Sequence, residues 1–280
     1  MSYLAELAVL IVAALSGTLG AMVGLGGGVF MVPIFSTFLG VPIKTAIAAS
    51  ALALIVNSLG SASVYLKHRM VNIRLALVLL IATTLGAIAG ALLVSVAPGQ
   101  VLRFVFALAL YGMIALLSSR RTSSDPITSG ADRLSLAGAF YDPAAGAVVR
   151  YIPQRVALGT AASTLAGFLS GLLGVGGGFM QVPLMSTLMR LPVKAAAATS
   201  AYMIGVTVVG SVLLYYANDL LVPQVAIPAA LGVFLGSQIG SRVGRRVRGL
   251  WLRRILILIL LYLATTLLLQ ALGVPVPGAR

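Results

Sequence analysis

The chain is 280 residues long, 60% hydrophobic and 9% charged, with 19 Lys and Arg against 5 acids, one His and no Cys. Apolar runs of about 20 residues recur, each long enough for ~30 Å of hydrocarbon, so an all-α polytopic membrane protein is expected. Without Cys there is no disulfide, thiolate metal site or thiol nucleophile, and the +14 charge reads as topology rather than nucleic-acid binding, because the bases sit in loops between apolar runs.

In chain order, the first apolar segment spans about 4–23, with no basic n-region before Leu4, so it reads as a membrane helix and not a cleavable signal peptide. A glycine run, Gly24-Leu25-Gly26-Gly27-Gly28, separates it from a second segment at 29–39. That segment measures about 16 Å as helix and is too short to cross alone. The pair therefore forms either a re-entrant hairpin or a tilted, broken helix. Segments at 45–66, 72–96 and 101–117 complete a first half, 1–118. The polar stretch 119–154 follows as a cytoplasmic linker. In it, Leu136–Asp142 and Ala147–Ile152 flank Pro143–Gly146, the pattern of a small β-hairpin. Such a hairpin is marginal in water and should lean on the membrane domain, as a tether or a regulatory contact. The second half, 155–280, repeats the plan at 155–173, 179–189, 195–216, 221–241 and 251–272.

The two halves are copies. Aligning 16–103 with 166–253 without a gap gives 27 identities in 88 positions. Gly174-Val175-Gly176-Gly177-Gly178 repeats the glycine run, Pro183 repeats Pro33, Lys194 repeats Lys44 and Ser200 repeats Ser50. Loop charge sets their orientation. The loop after the third segment holds Lys67, His68, Arg69 and Arg74, whereas its equivalent is Asn218-Asp219. One loop later the imbalance reverses, with Arg103 alone against Arg242, Arg245, Arg246, Arg248, Arg253 and Arg254. Equivalent loops thus lie on opposite sides of the membrane, and the repeats have inverted topology. An odd number of crossings separates the cytoplasmic linker from the Asn218-Asp219 loop, which a re-entrant hairpin plus one helix, or three full crossings, satisfies. Both termini then face outward.

The membrane segments carry almost no titratable groups. Glu6, Asp125, Asp132, Asp142 and Asp219 all lie near segment ends, in loops or in the linker, and His68 is in a loop. This excludes an intramembrane proton relay through carboxylate or imidazole, a cage for a metal cation and an activated hydrolytic serine. No cofactor and no enzymatic activity are expected. Gly24-Leu25-Gly26 is no dinucleotide fingerprint, since Val29 replaces the last glycine and no βαβ unit surrounds it. Gly86/Gly90 and Gly236/Gly240 have the spacing of close helix packing. The triple glycines Gly26, Gly27, Gly28 and Gly176, Gly177, Gly178 are more than packing requires. They read as breaks whose backbone N–H groups face an anion without a buried base. Ser50, Ser200 and Thr199 on the following segments and Gln181, which has no polar mate, join them as candidate binding groups. Lys44 and Lys194 oppose the dipole of the helices they begin. They read either as snorkelling to lipid or as gathering anions at opposite mouths.

The doubled Gly-x-Gly-Gly-Gly with its Val-Pro, and the stretch Pro192-Val193-Lys194-Ala195-Ala196-Ala197-Ala198-Thr199-Ser200, resemble the TauE/SafE sulfite exporter family. The first copy departs at Ala49, so the halves need not contribute equally to a site. The resemblance covers nearly the whole chain, including Tyr141-Asp142. It implies transport of small sulfur-containing anions such as sulfite or sulfoacetate, often outward, across the cytoplasmic membrane of a prokaryote. It also implies a site at Gly26, Gly27, Gly28, Pro33 and Ser50 with Gly176, Gly177, Gly178, Pro183, Thr199 and Ser200. Two other readings stay open, an anion channel and a non-transporting membrane scaffold working through its linker. The particular anion, the coupling ion and the oligomeric state are not written in the sequence.

Overall fold

The computed structural model describes residues 3–23, 26–118, 135–142, 146–244 and 249–274, with no side-chain detail for 3–4, 23, 116–117 and 241–255. The Ser118–Gly130 part of the linker beyond Ser118, its turn Pro143–Ala145, Gly24, and the side chains of the late Arg cluster lie outside this description. The first half contributes α1 (Tyr3–Val23), α2 (Gly28–Thr37), α3 (Ile43–Lys67), α4 (Ile73–Val96) and α5 (Gly99–Ser118). Two strands follow, β1 (Gly138–Asp142) and β2 (Ala147–Tyr151). The second half contributes α6 (Val156–Leu173), α7 (Gly178–Pro183) continued by a π-helical turn at Leu184–Leu188, α8 (Val193–Ala217), α9 (Pro223–Gly244) and α10 (Gly249–Ala271). Among the described residues, α1, α3, α4, α6 and α8 are long and apolar enough to cross a bilayer. The protein is an all-α polytopic membrane protein with a small hairpin in its linker.

The halves interlock. The first helix of each lies along the fourth helix of the other, α1 on α9 and α6 on α4. The third helices pair in the same reciprocal way, α3 on α9 and α8 on α4, while α3 meets α8 and α5 meets α10. Small residues make this contact. A Cβ on Gly86 or Gly90 would collide with the carbonyl oxygens of Thr164 or Phe168, and one on Gly167 or Gly171 with those of Thr83 or Ala87. The matching seam sets Gly232, Gly236 and Gly240 against the backbone of Leu10, Ala14 and Thr18. Numbers rise together along each seam, so paired helices run in the same direction. This is the close approach that small residues four apart allow in lipid, where dispersion and packing replace the hydrophobic effect.

Helix α8 also runs alongside α4 in the same direction, joined by Asn72 N to Thr199 Oγ1 at 3.1 Å, Thr83 to Thr207 at 3.2 Å, and Ser211 to the Ala87 carbonyl at 3.2 Å. Because α6 and α8 share one direction, the chain between them must double back. It does so at Gly174–Gly177, and α7 with its π-turn returns to the start of α6, where Gln154 N donates to the Met189 carbonyl at 3.0 Å. The short segment therefore leaves on the face at which its helix entered.

The hairpin expected in the linker is present, antiparallel from Gly138↔Tyr151 to Asp142↔Ala147. It does lean on the membrane domain. Leu136, Phe140 and Tyr151 are buried with Leu75 and Leu79 of α4, Met185 and Met189 of the returning segment, and Met203 of α8. Asn72 donates to the Leu136 carbonyl at 2.8 Å and Arg74 to that of Ser135 at 3.0 Å. Lys194 donates to Asp142 at 2.6 Å. Burial raises the Tyr151 phenol above its ordinary pKa, against an opposing hydrogen bond from Asn72. The linker is thus more than a tether: it fastens the first turn of α4 to the first turn of α8.

Two glycines separate packing from propensity. Gly90→Ala should destabilise the protein by about 1–3 kcal/mol, the usual cost of overpacking, because its Cβ meets the Phe168 carbonyl. Gly112→Ala on α5, with nothing within 4 Å, should stabilise it by up to ~1 kcal/mol through helix propensity. Thermal unfolding of the two variants in detergent checks both signs.

Candidate functional site

The two glycine breaks face each other across the crossing of α3 and α8. Gly26 and Gly176 both take φ +77°, and Gly177 takes φ +67°, a region L-residues enter only at a cost. The space beside Gly26 is bounded by Leu54 and Ile204, and so is that beside Gly176. These two side chains, one from each half, form an apolar partition between two small chambers.

The chamber of the second half is lined by Thr83, Ser170, Gly176, Gly177, Gln181 and Ser200, with Met203, Ile204 and Thr207 behind them. Its centre has room for about one water molecule, so the conformation described is closed around it. Ser200 is fully buried and Ser170 is 2% exposed, yet neither hydroxyl has a hydrogen-bond partner. A buried hydroxyl left unpaired costs about 1–3 kcal/mol, and native structures rarely carry two together without a use for them. Gln181 is also buried and accepts a hydrogen bond from Ser163 at 3.3 Å. The chamber of the first half is lined by Gly26, Asn57, Ser58, Ser61 and Tyr65. There the Asn57 Oδ1 is buried and unpartnered.

The residues expected from the sequence divide by what they touch. Ser50 donates to the Gly174 carbonyl at 2.8 Å, tying α3 to the opposite break. Thr199 accepts from the Asn72 backbone, and neither residue lines the second chamber. Gly28 packs so tightly that a Cβ would meet both Ser50 Oγ and the Gly174 carbonyl. Pro33 lies inside α2 and Pro183 ends α7, where Thr187 donates to its carbonyl at 2.7 Å. Gly27 and Gly178 cap or begin the short helices. Lys44 donates to the Ser95 carbonyl at 2.7 Å, in the last turn of α4, and Lys194 is held by Asp142. Both ammoniums are engaged at helix ends, away from the chambers. Gly176, Gly177, Gln181 and Ser200 are the expected residues that meet in one place.

Sequence reasoning missed Thr83 and Ser170. The repeat alignment concealed them, since Thr83 faces Val233 and Ser170 faces Gly20 at the equivalent positions. A hydroxyl opposite an apolar or glycine mate was the available signal, the same one that singles out Gln181 against Met31. A larger groove on α5, bounded by Leu169, Phe179 and Met180, is apolar throughout and offers no group to hold an anion.

Among known proteins, the family described as Sulfite exporter TauE/SafE matches residues 9–267. The chain belongs to the TauE/SafE family. It is 30% identical over 197 residues to "Probable membrane transporter protein YunE" of Bacillus subtilis, covering 68% of this chain and 70% of that one. It is 26% identical over 212 residues to "Probable membrane transporter protein MJ0441" of Methanocaldococcus jannaschii, covering 74% and 70%. No solved structure matches it. As a member of the TauE/SafE family the chain is a multi-pass membrane transporter.

Two repeat mates should respond differently to the same change. Ser50→Ala removes a hydrogen bond to Gly174 and should cost about 1 kcal/mol of stability. Ser200→Ala removes an unpaired hydroxyl and should leave stability unchanged or raise it. Unfolding midpoints of the two variants, measured side by side, test the difference.

Proposed function

We propose that this transporter moves small sulfur-containing anions, sulfite or organosulfonates such as sulfoacetate, outward across the cytoplasmic membrane of a prokaryote. The reading rests chiefly on one observation: two buried hydroxyls, Ser170 and Ser200, stand without partners beside Gly176 and Gly177. They do so in an interior whose described residues include no cluster of acids or histidines. Neutral donors on a rigid backbone bind a small oxyanion without a buried base, because each oxygen of the anion accepts several hydrogen bonds. The family description names sulfite, and the donor set suits its compact, multiply accepting oxygens.

In this proposal 1–118 and 155–280 are inverted repeats, 119–154 is cytoplasmic, and the Lys67–Arg74 loop lies on the cytoplasmic side with it. The parallel course of α1 with α9 and of α6 with α4 supports that arrangement. Gln181 completes the donor set around Ser200, Thr83 lines the chamber with its hydroxyl on the Leu79 carbonyl at 3.0 Å, and Gly176 and Gly177 provide the backbone approach. Export follows from charge. A monoanion leaving a cell interior at −100 mV gains about 2.3 kcal/mol from the field, so no coupling ion is needed.

Purified protein in proteoliposomes should show saturable sulfite or sulfoacetate efflux that rises with an imposed outward-positive potential and shows counterflow. Ser200→Ala should weaken apparent affinity about 10-fold, the value of one hydrogen bond to a charged group. Gly177→Val should abolish flux, since a branched side chain would fill the chamber from a backbone position with φ +67°. Flux that does not saturate and lacks counterflow would make the protein a channel. No flux of any sulfur oxyanion, with a phenotype on deleting 119–150, would make it a scaffold.

A further inference from the structure

We propose that the chamber at the first glycine break is a second anion station, filled from the Lys67–Arg69 side before the anion passes Leu54 and Ile204 to the Ser200 chamber. The inference rests on the transport reading above and adds to it a second site of defined chemistry.

The first observation is a polar face on α3. Asn57, Ser61 and Tyr65 recur every four residues and so share one side of the helix. They descend about 12 Å from the level of Gly26 to the helix end. Past that end, Lys67, His68 and Arg69 are exposed. All three polar residues line the same chamber. The basic residues at its mouth raise the local anion concentration, whereas the charge of Lys194 is paired with Asp142.

The second observation is Asn57 itself. It is 5% exposed, its Oδ1 is unpartnered, and its Nδ2 faces Gly26. An amide pointed into a chamber supplies donors through Nδ2 and an acceptor through Oδ1. Beside it lie Ser61, whose hydroxyl donates to the Asn57 backbone carbonyl at 2.9 Å, and Tyr65. The Asn57 amide itself offers a small oxyanion that keeps one acidic proton both a donor to its oxygens and an acceptor for its hydrogen. The unpartnered side chains of the second chamber are hydroxyls, Ser170 and Ser200, with no amide left vacant beside them.

The third observation is the contrast between repeat mates. Tyr215, the mate of Tyr65, is fully buried and donates to the Gly171 carbonyl. Ser211, the mate of Ser61, is 1% exposed and donates to the Ala87 carbonyl. The route that leads from Gly176 toward the Asn218-Asp219 loop is therefore sealed. Tyr65 and Ser61 are only half-buried. The described conformation opens toward the basic loop and closes toward the acidic one, with the partition between its two chambers shut.

Equilibrium binding of 35S-sulfite to the purified full-length protein tests this. Wild type should bind two anions per chain. Asn57→Thr installs the residue of its repeat mate and should leave one site of unchanged affinity. Ser200→Ala should weaken that remaining site about 10-fold, and Ser61→Ala serves should Asn57→Thr fail to fold. A single site in wild type, or two undisturbed sites in both Asn57→Thr and Ser61→Ala, overturns the second station and leaves the Ser200 site standing. If neither sulfite nor sulfoacetate binds at all, the transport reading falls and the second station with it.

Discussion

The contact on which everything else rests is glycine against carbonyl. Along α4 and α6, and again along α1 and α9, hydrogen atoms of glycine lie where any larger residue would strike the opposite backbone. In a bilayer, helices gain nothing from hiding apolar surface that lipid already covers, so close backbone approach has to hold them together. Because each seam joins opposite halves, neither repeat is a body in its own right. The glycine breaks are held at the centre by this interlock, opposed across Leu54 and Ile204, and their positive φ values persist because the surrounding helices leave the chain no alternative.

Within that symmetric frame the polar groups are not symmetric. Ser50 spends its hydroxyl on the opposite break, whereas Ser200 keeps its own. Tyr215 and Ser211 are buried against the carbonyls of Gly171 and Ala87 on neighbouring helices, whereas Tyr65 and Ser61 are half-buried beside the first chamber. Duplication supplied two equivalent scaffolds, and a few differences, Ala49 against Thr199, Gly20 against Ser170 and Met31 against Gln181, gave the second half more polar side chains around its glycine break. The sequence departure at Ala49 has a structural counterpart here, since Thr199 anchors Asn72 and through it the hairpin.

Helix positions were legible in the sequence because hydrophobicity in membranes is a strong, one-dimensional signal. Every helix, with α7 taken together with its π-turn, begins and ends within about three residues of its apolar segment. The hairpin was legible from its aromatic and β-branched residues around a Pro/Gly turn, and the packing role of Gly86/Gly90 and Gly236/Gly240 from their spacing. The site was legible only in part. Gly176 and Gly177 declare themselves, but whether a serine is engaged depends on which carbonyl lies opposite, and that is fixed by the interlock rather than by neighbours in the chain. Ser50 and Ser200 are indistinguishable in one dimension. The partners of Lys44 and Lys194 were hidden for the same reason: Ser95 and Asp142 are each about fifty residues away.

The reciprocal seams have a consequence for how the protein is made. Helix α1 emerges first, but its partner α9 begins 200 residues after α1 ends, at Pro223 against Val23. At about 5–20 residues per second of synthesis, α1 waits roughly 10–40 s in the bilayer before the glycines of α9 can cover its Leu10–Thr18 face. Helix α4 waits less, because α6 follows the linker directly. Assembly therefore runs from the middle of the chain outward, and the N-terminal helix is the last of the early ones to find its place.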